Sequence, residues 1–231
     1  MIRRHLFTQN LLITFFLQTA CFISLFGQNI LPFQQLSIEE GISHNAVTSI
    51  FQDSRGFVWI STFDGLNKYD GYKFKIYRNN PGEKKLLSNR IRSLNEGPNK
   101  RLWIGTDEGL NILDPISEQL DTIKLQDTFH HGPVILKVLF RDQQSVCLTE
   151  RNGVLVIDPD RLTRSGTIIV KDNPQIQYRD IVALDENRFL VSSSHGLFEF
   201  DIANNSIIPV TAFGSKSCYS LLNLSHNRIL L

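Results

Sequence analysis

Residues 58–70 read VWISTFDGLNKYD, and residues 102–114 repeat the pattern as LWIGTDEGLNILD. Fainter copies, VCLTERNGVLVID and FLVSSSHGLFEFD, begin at Val146 and Phe189. Repeats of about 40–50 residues are typical of β-propellers, in which each repeat forms one four-stranded blade. Each copy contains one turn glycine, and successive glycines lie 43 or 44 residues apart: Gly65, Gly109, Gly153 and Gly196.

The first copy predicts four short antiparallel strands, because runs of β-branched and aromatic residues alternate with turn sequences. Asp64-Gly65 and Asp70-Gly71 are hairpin signals, since glycine adopts the positive φ that a tight turn requires. The predicted strands are 47–51, 57–63, 66–69 and 73–77. The fold class is therefore all-β, with consecutive propeller blades.

One position in each copy predicts the core between blades. Trp59 and Trp103 occupy the same mid-strand position, and Cys147 and Leu190 replace them in the later copies. A large apolar residue that recurs at one position indicates packing, although an exposed tryptophan there would offer a surface for sugar stacking. We therefore predict that all four side chains are buried.

The repeat spacing divides the chain into segments. Blades are predicted at 47–88, 89–132, 133–175 and 176–215, with a partial fifth at 216–231 that stops in the middle of a strand. This ending predicts an open arc that is an N-terminal piece of a longer protein. In the leading segment, 28–46, Phe33, Leu36 and Ile38 are candidates for a strand that closes the propeller ring.

The first 27 residues have the layout of a signal peptide. Arg3 and Arg4 precede a mostly apolar stretch at 11–26, and cleavage near Gly27-Gln28 would export the chain. An uncleaved membrane anchor is the alternative, and Cys21 also raises a lipoprotein, for which residues 18–20 are a poor match.

Composition excludes several classes of function. The 231 residues carry 24 Lys and Arg against 23 Asp and Glu, a net charge of +1, whereas nucleic-acid binding usually needs a basic face. After cleavage only Cys147 and Cys218 remain, which makes no disulfide framework, although a bridge between them stays possible. No catalytic motif is visible, and we expect no cofactor and no metal.

The repeat resembles a known family in its motifs. The first copy has Gly41-Ile42-Ser43, Asn45, Trp59-Ile60-Ser61-Thr62 and Gly65-Leu66-Asn67, and the second has Ser88-Asn89, Trp103-Ile104-Gly105-Thr106 and Gly109-Leu110-Asn111. These motifs resemble the two-component regulator propeller, the periplasmic sensor region of hybrid two-component histidine kinases of Bacteroidetes-type bacteria. The resemblance begins near residue 31 and extends to the end of the chain.

The resemblance implies a sensor for carbohydrate-derived ligands that regulates genes for their utilisation. It implies two seven-bladed propellers, of which this chain holds about four and a half blades, and further partners: a downstream propeller and sandwich domain, and a second copy in a homodimer. It also implies periplasmic location in a protein anchored in the inner membrane. The kinase domain is absent here, so this segment is expected to be no enzyme and to contact no nucleic acid.

The candidate ligand-binding residues lie in turns and connections that should share one axial rim, although turn and capping chemistry also accounts for most of them. They are His44, Asn45, Asp64, Asn89, Asp107, His130 and His131. Two other functions stay open: an exported propeller enzyme, a lyase or glycosidase acting on polysaccharides, and a non-functional truncated remnant.

Overall fold

The fold is built from short antiparallel strands. The computed structural model describes residues 15, 33–80, 86–123, 132–141, 144–168, 175–224 and 228–230. The chain divides into two compact units, Met1–Gln35 and Leu36–Leu231, and every strand described lies in the second.

Four antiparallel sheets of four strands follow one another along the chain, and a two-stranded hairpin follows the fourth sheet. The first sheet contains β1 (Val47–Gln52), β2 (Val58–Thr62), β3 (Gly65–Tyr69) and β4 (Phe74–Tyr77), and the second contains β5 (Ile91–Glu96), β6 (Leu102–Thr106), β7 (Gly109–Leu113) and β8 (Leu120–Thr122). The third contains β9 (Ile135–Arg141), β10 (Gln144–Thr149), β11 (Val154–Asp158) and β12 (Thr163–Ile168). The fourth contains β13 (Tyr178–Ala183), β14 (Arg188–Ser193), β15 (Gly196–Asp201) and β16 (Ser206–Pro209), and the hairpin contains β17 (Leu222–Leu224) and β18 (Arg228–Leu230).

A hydroxyl residue holds the turn between the second and third strands in each sheet, and this turn is one residue longer in the third sheet. In the first sheet, the hydroxyl of Thr62 accepts the backbone N–H of Asp64 at 3.0 Å and donates to the carbonyl of Gly65 at 3.0 Å. Gly65 has a φ of 114°, a conformation that favours glycine. A hydroxyl residue takes the place of Thr62 in the other three sheets: Thr106, Thr149 and Ser193.

The first strand of each sheet carries a register shift near its start. In β1 the shift lies between Val47 and Ser49, and in β13 between Tyr178 and Asp180. A bulge bends a strand and turns one side chain away from the regular alternation. The residues that the shift skips are Thr48, Arg92, Leu136 and Arg179.

The hydrophobic core lies between consecutive sheets. One cluster joins Trp59 of the first sheet to Ile91 and Leu94 of the second, and another joins Trp103 to Val138 and Cys147 of the third. Two further clusters join the third sheet to the fourth and the fourth to the chain around Cys218. The first strands β1, β5, β9, β13 and β17 lie beside one another in that order. These are stacked propeller blades, and the predicted fold class is confirmed.

The residues at the repeated core position are buried as predicted. Trp59 and Cys147 are fully buried, and Trp103 and Leu190 nearly so. The ring of Trp103 packs edge-on against Phe140 at a centroid distance of 5.2 Å. Cys147 and Cys218 are free thiols in different core clusters, so the possible bridge between them is not formed.

The leading segment differs from the prediction. Phe33, Leu36 and Ile38 form no strand, and Ile38 instead begins a 3-10 helix, Ile38–Glu40. Ser37 and Glu40 form a capping box. The side chain of Ser37 accepts a backbone N–H of the first helical turn, and the side chain of Glu40 accepts the backbone N–H of Ser37. These bonds favour the helix over an extended strand. The proposed signal peptide lies outside the described residues, apart from Phe15. Within the described part of the chain, no helix is long and apolar enough to span a bilayer.

Candidate functional site

The turns after β2, β6, β10 and β14 meet the connections between sheets along one edge, which we call the turn edge. The backbone N–H of Gly65 donates to Asn89 at 2.9 Å, and that of Tyr178 donates to Glu150 at 2.8 Å. Cys218 donates in the same way to Ser193 at 3.0 Å. At these three junctions the chain that enters a sheet is therefore bonded to the turn of the preceding sheet, which brings turns and connections together there.

Asp64 forms the first polar cluster on this edge. Its carboxylate accepts one hydrogen bond from a terminal nitrogen of Arg78 at 2.8 Å and one from the side-chain amide of Asn89 at 3.2 Å. The amide oxygen of Asn89 in turn accepts the backbone N–H of Asn79 at 2.6 Å. Two predicted candidates, Asp64 and Asn89, are thus brought into direct contact across the first and second repeats.

Asp107 is the centre of a second cluster, at the turn of the second sheet. Arg92 contacts both oxygens of this carboxylate, at 2.5 and 3.3 Å, and the Nε of Arg90 lies 3.4 Å from it. The hydrogen bond from Arg92 to Asp107 raises the pKa of the Arg92 guanidinium, so this side chain stays charged at any physiological pH. Arg92 is the bulged residue of β5, which explains why it reaches the turn.

The other two candidates within the described residues have local roles. The Nδ1 of His44 accepts the backbone N–H of Ala46 at 2.8 Å, and the side-chain oxygen of Asn45 accepts that of Ile38 at 3.1 Å. His44 also lies beside the ring of Phe63, with ring centroids 6.4 Å apart. His130 and His131 lie outside the described residues.

The turn edge presents polar and charged side chains. Over the described residues, no group of three or more His, Cys, Asp or Glu side chains is placed to hold a metal ion. The acids described above are paired with arginines or asparagine, and none faces a second carboxylate at hydrogen-bond distance. What the edge offers is a row of amide, carboxylate and guanidinium groups at the surface.

Sequence reasoning missed one residue of this edge. Phe63 stands in the turn after β2 and its side chain is 43% exposed. The corresponding turn residues of the other copies are polar: Asp107, Arg151 and Ser194. The signal was present in the repeat itself, because an apolar residue that does not recur at its position is not explained by the architecture.

Comparison with known proteins identifies the repeats. The family model described as two component regulator propeller matches residues 41–64 and 85–108. The chain is 46% identical over 67 residues to a protein named histidine kinase P4 from Formosa agariphila, an alignment that covers 29% of this chain and 5% of that protein. Residues 41–64 and 85–108 therefore match two-component regulator propeller repeats, as their motifs predict.

Solved structures show the same fold. The extracellular domain of the hybrid two component system BT4673 from B. thetaiotaomicron matches with a TM-score of 0.68 at 21% identity, over 86% of this chain and 30% of that one. The extracellular domain of BT3049 from the same organism matches with a TM-score of 0.55 at 19% identity, over 85% and 33%. The chain thus spans about a third of these domains, and at these identities the likeness shows the fold alone.

Proposed function

We propose that this chain, which carries regulator-propeller repeats, is part of the ligand-sensing periplasmic region of a hybrid two-component histidine kinase. The observation that carries the proposal is the pair of repeats matched by the family model, together with the named histidine kinase that shares 46% identity over 67 residues. In this proposal the chain is exported, has no enzymatic activity of its own, and acts through a kinase elsewhere in an inner-membrane protein.

The proposed ligand is derived from a carbohydrate and binds on the turn edge. Sugars are recognised by directional polar groups beside an apolar face, and the turn edge offers both. Asp64 and Asn89 present a carboxylate and an amide, and Phe63 presents an exposed ring. His44, Asn45 and Asp107 complete the described candidates, and each contributes a polar side chain at the same edge.

The contacts between consecutive sheets suggest how ligand binding could change the activity of the kinase. Asp64 belongs to the first sheet and Asn89 to the connection that enters the second, so a ligand that contacts both would change how tightly two blades are held. In a homodimer, this would favour one packing of the downstream propeller and sandwich domain over another. The kinases would then shift between two states, which would control genes for carbohydrate utilisation.

The proposal is tested in a bacterium that carries the gene. Purified chain is titrated with oligosaccharides released from the polysaccharides on which the bacterium grows, and transcripts are compared between the parent strain and a strain that lacks the gene. We expect one oligosaccharide to bind and to induce genes only in the parent strain. Binding of no oligosaccharide, or induction that is unchanged in the deletion strain, would contradict the proposal.

A variant with a matched control links binding to the turn edge. Asn89→Ala removes the side-chain bond to Asp64, whereas Asn187→Ala changes an exposed asparagine at the opposite edge of the fourth sheet, between β13 and β14. We expect weaker oligosaccharide binding for Asn89→Ala only. Equal affinities in the two variants would place the ligand away from Asn89.

A further inference from the structure

Phe63 is the starting point, because it breaks the repeat at an exposed position. Side chains that recur from blade to blade are explained by packing, as Trp59 and Trp103 are. Phe63 has no counterpart at the turns after β6, β10 and β14, and its ring is not buried in any of the core clusters of the described residues. An exposed aromatic ring on a rigid hairpin turn offers a flat apolar face to a ligand.

Two polar side chains flank this ring. The guanidinium carbon of Arg90 lies 5.1 Å from the centroid of Phe63, which is within the range of a cation–π contact. The imidazole of His44 lies on the same ring at a centroid distance of 6.4 Å. Phe63 therefore restricts the position of Arg90 without using any of its N–H groups.

Arg90 retains donors for a ligand. Its side chain is 53% exposed, and only its Nε lies near a carboxylate, that of Asp107 at 3.4 Å. Its terminal nitrogens have no hydrogen-bond partner among the described side chains and backbone. Asp107 is already engaged by Arg92 through both oxygens, so two guanidinium groups share one carboxylate and leave an excess positive charge. Glu150 also favours the charged form of Arg92, and its carboxylate lies 4.0 Å from the Nε of Arg151.

We propose that Phe63, Arg90 and His44 form a subsite for one sugar ring that carries a carboxylate or sulfate group. The sugar face would pack on Phe63, the anionic group would accept paired N–H bonds from the planar guanidinium of Arg90, and His44 would contact a hydroxyl. This subsite rests on the proposed function, and it narrows the ligand to acidic oligosaccharides.

The test uses an array of oligosaccharide pairs, and the two members of each pair differ only in whether they carry uronate or sulfate groups. The full chain is the protein whose binding to the array is measured. We expect binding to acidic members only. Phe63→Ala and Arg90→Gln should each weaken that binding about tenfold to a hundredfold, since each removes a principal contact. Arg90→Lys should recover only part of the loss, because an ammonium group cannot form the paired bonds.

Two matched variants serve as controls. Tyr72→Ala changes an exposed aromatic residue in the turn between β3 and β4, at the opposite edge of the same sheet, and Arg161→Gln changes an exposed arginine in the corresponding turn of the third sheet. Both variants should bind acidic oligosaccharides as the parent does. Circular dichroism of every variant confirms that its strands are intact before binding is compared.

The outcomes separate this inference from the proposed function. Binding of an oligosaccharide that is unchanged in Phe63→Ala and Arg90→Gln would overturn the subsite and leave carbohydrate sensing in place. Equal binding of neutral and acidic partners would overturn the role of Arg90. Absence of any binding across the array would overturn both proposals.

Discussion

The indole Nε1 of Trp59 donates a hydrogen bond of 2.8 Å to the carboxylate of Asp53, and both side chains are buried in the first blade. The other oxygen of Asp53 accepts the backbone N–H groups of Arg55 and Phe57, at 2.9 and 3.0 Å. Burial of this carboxylate is tolerated because three donors surround it. The aspartate of the first repeat therefore holds the turn between β1 and β2 against the core tryptophan.

Asp53→Ala should lower the free energy of unfolding by about 2–4 kcal/mol, because it leaves buried donors without an acceptor. The second repeat supplies a control, since Gly97 stands at the position that corresponds to Asp53 and offers no carboxylate to Trp103. In urea unfolding, Trp59→Phe should cost about 1 kcal/mol more than Trp103→Phe. Equal costs would show that the bond between Asp53 and Trp59 adds no stability.

Asp180 forms contacts with the repeats on both sides of its own, so its removal should destabilise all three. One oxygen of its carboxylate contacts the Nζ of Lys137 in the third sheet at 2.7 Å, and the other accepts the backbone N–H of Leu221 at 2.8 Å. The Asp180 side chain is only 14% exposed. Asp180→Ala should therefore lower the free energy of unfolding by about 2–3 kcal/mol, measured by chemical denaturation.

Asp185 is the control for this variant, since its carboxylate forms an equally short pair with Arg188 but is 43% exposed. Asp185→Ala should lower the free energy of unfolding by less than Asp180→Ala does, because solvent screens exposed pairs. If both variants lose the same stability, the contacts of Asp180 between repeats are no stronger than a surface pair.

The stability of the fold should fall in acid because of four aspartates at equivalent positions, at the last residue of the third strand of each sheet or directly after it. Backbone N–H groups two or three residues further along donate to each carboxylate and lower its pKa: Asp70, Asp114, Asp158 and Asp201. A carboxyl group whose pKa is lower in the folded than in the unfolded chain stabilises the fold above the unfolded value, about 3.9 for aspartate. That contribution is lost as pH falls through the lowered folded pKa.

Asp114→Asn tests this, because asparagine can still accept the backbone N–H groups of Ile116 and Ser117 but does not titrate. Thermal unfolding between pH 6 and about pH 2.5 should show a smaller loss of Tm for the variant than for the parent. An NMR titration that finds the Asp114 carboxyl at its ordinary pKa would contradict the expectation.

Gly65→Ala should be more damaging than Gly71→Ala, although both glycines have positive φ, 114° and 98°. A Cβ at Gly65 would lie 2.5 Å from the carbonyl oxygen of Tyr77, whereas one at Gly71 would meet nothing within 4 Å. The alanine at Gly71 should cost about 1–2 kcal/mol from backbone strain alone. Urea unfolding should show a larger loss for Gly65→Ala, and equal losses would mean that the β4 carbonyl moves aside freely.

The strands of the first sheet could be predicted because the repeat contains both its turn residues and its core residues. Each of the four predicted strands of the first sheet is present within one residue at either end.

The asparagine of the Gly-Leu-Asn motif also has a structural role. The buried amides of Asn67 and Asn111 each accept a backbone N–H from the chain that enters their own sheet, Ser43 and Leu87. Leucine and phenylalanine replace them in the later copies, Leu155 and Phe198.

The remaining features depend on contacts between distant residues, which no single repeat displays. The contact of Asp64 with Asn89 spans 25 residues, and that of Lys137 with Asp180 spans 43. The candidate closing strand at Phe33, Leu36 and Ile38 rests on the way propeller rings close, whereas the local capping box at Ser37 favours a 3-10 helix. Whether the site candidates bind a ligand stays a prediction, because turn sequences serve architecture and recognition alike.

Each apolar layer of this protein is shared, since it is assembled from one face of a blade and the facing side of the next. Among the described residues, none of the four blades has a core cluster formed by its own side chains alone. A substitution that disrupts the core between two blades should therefore destabilise those two blades most, and more distant blades less.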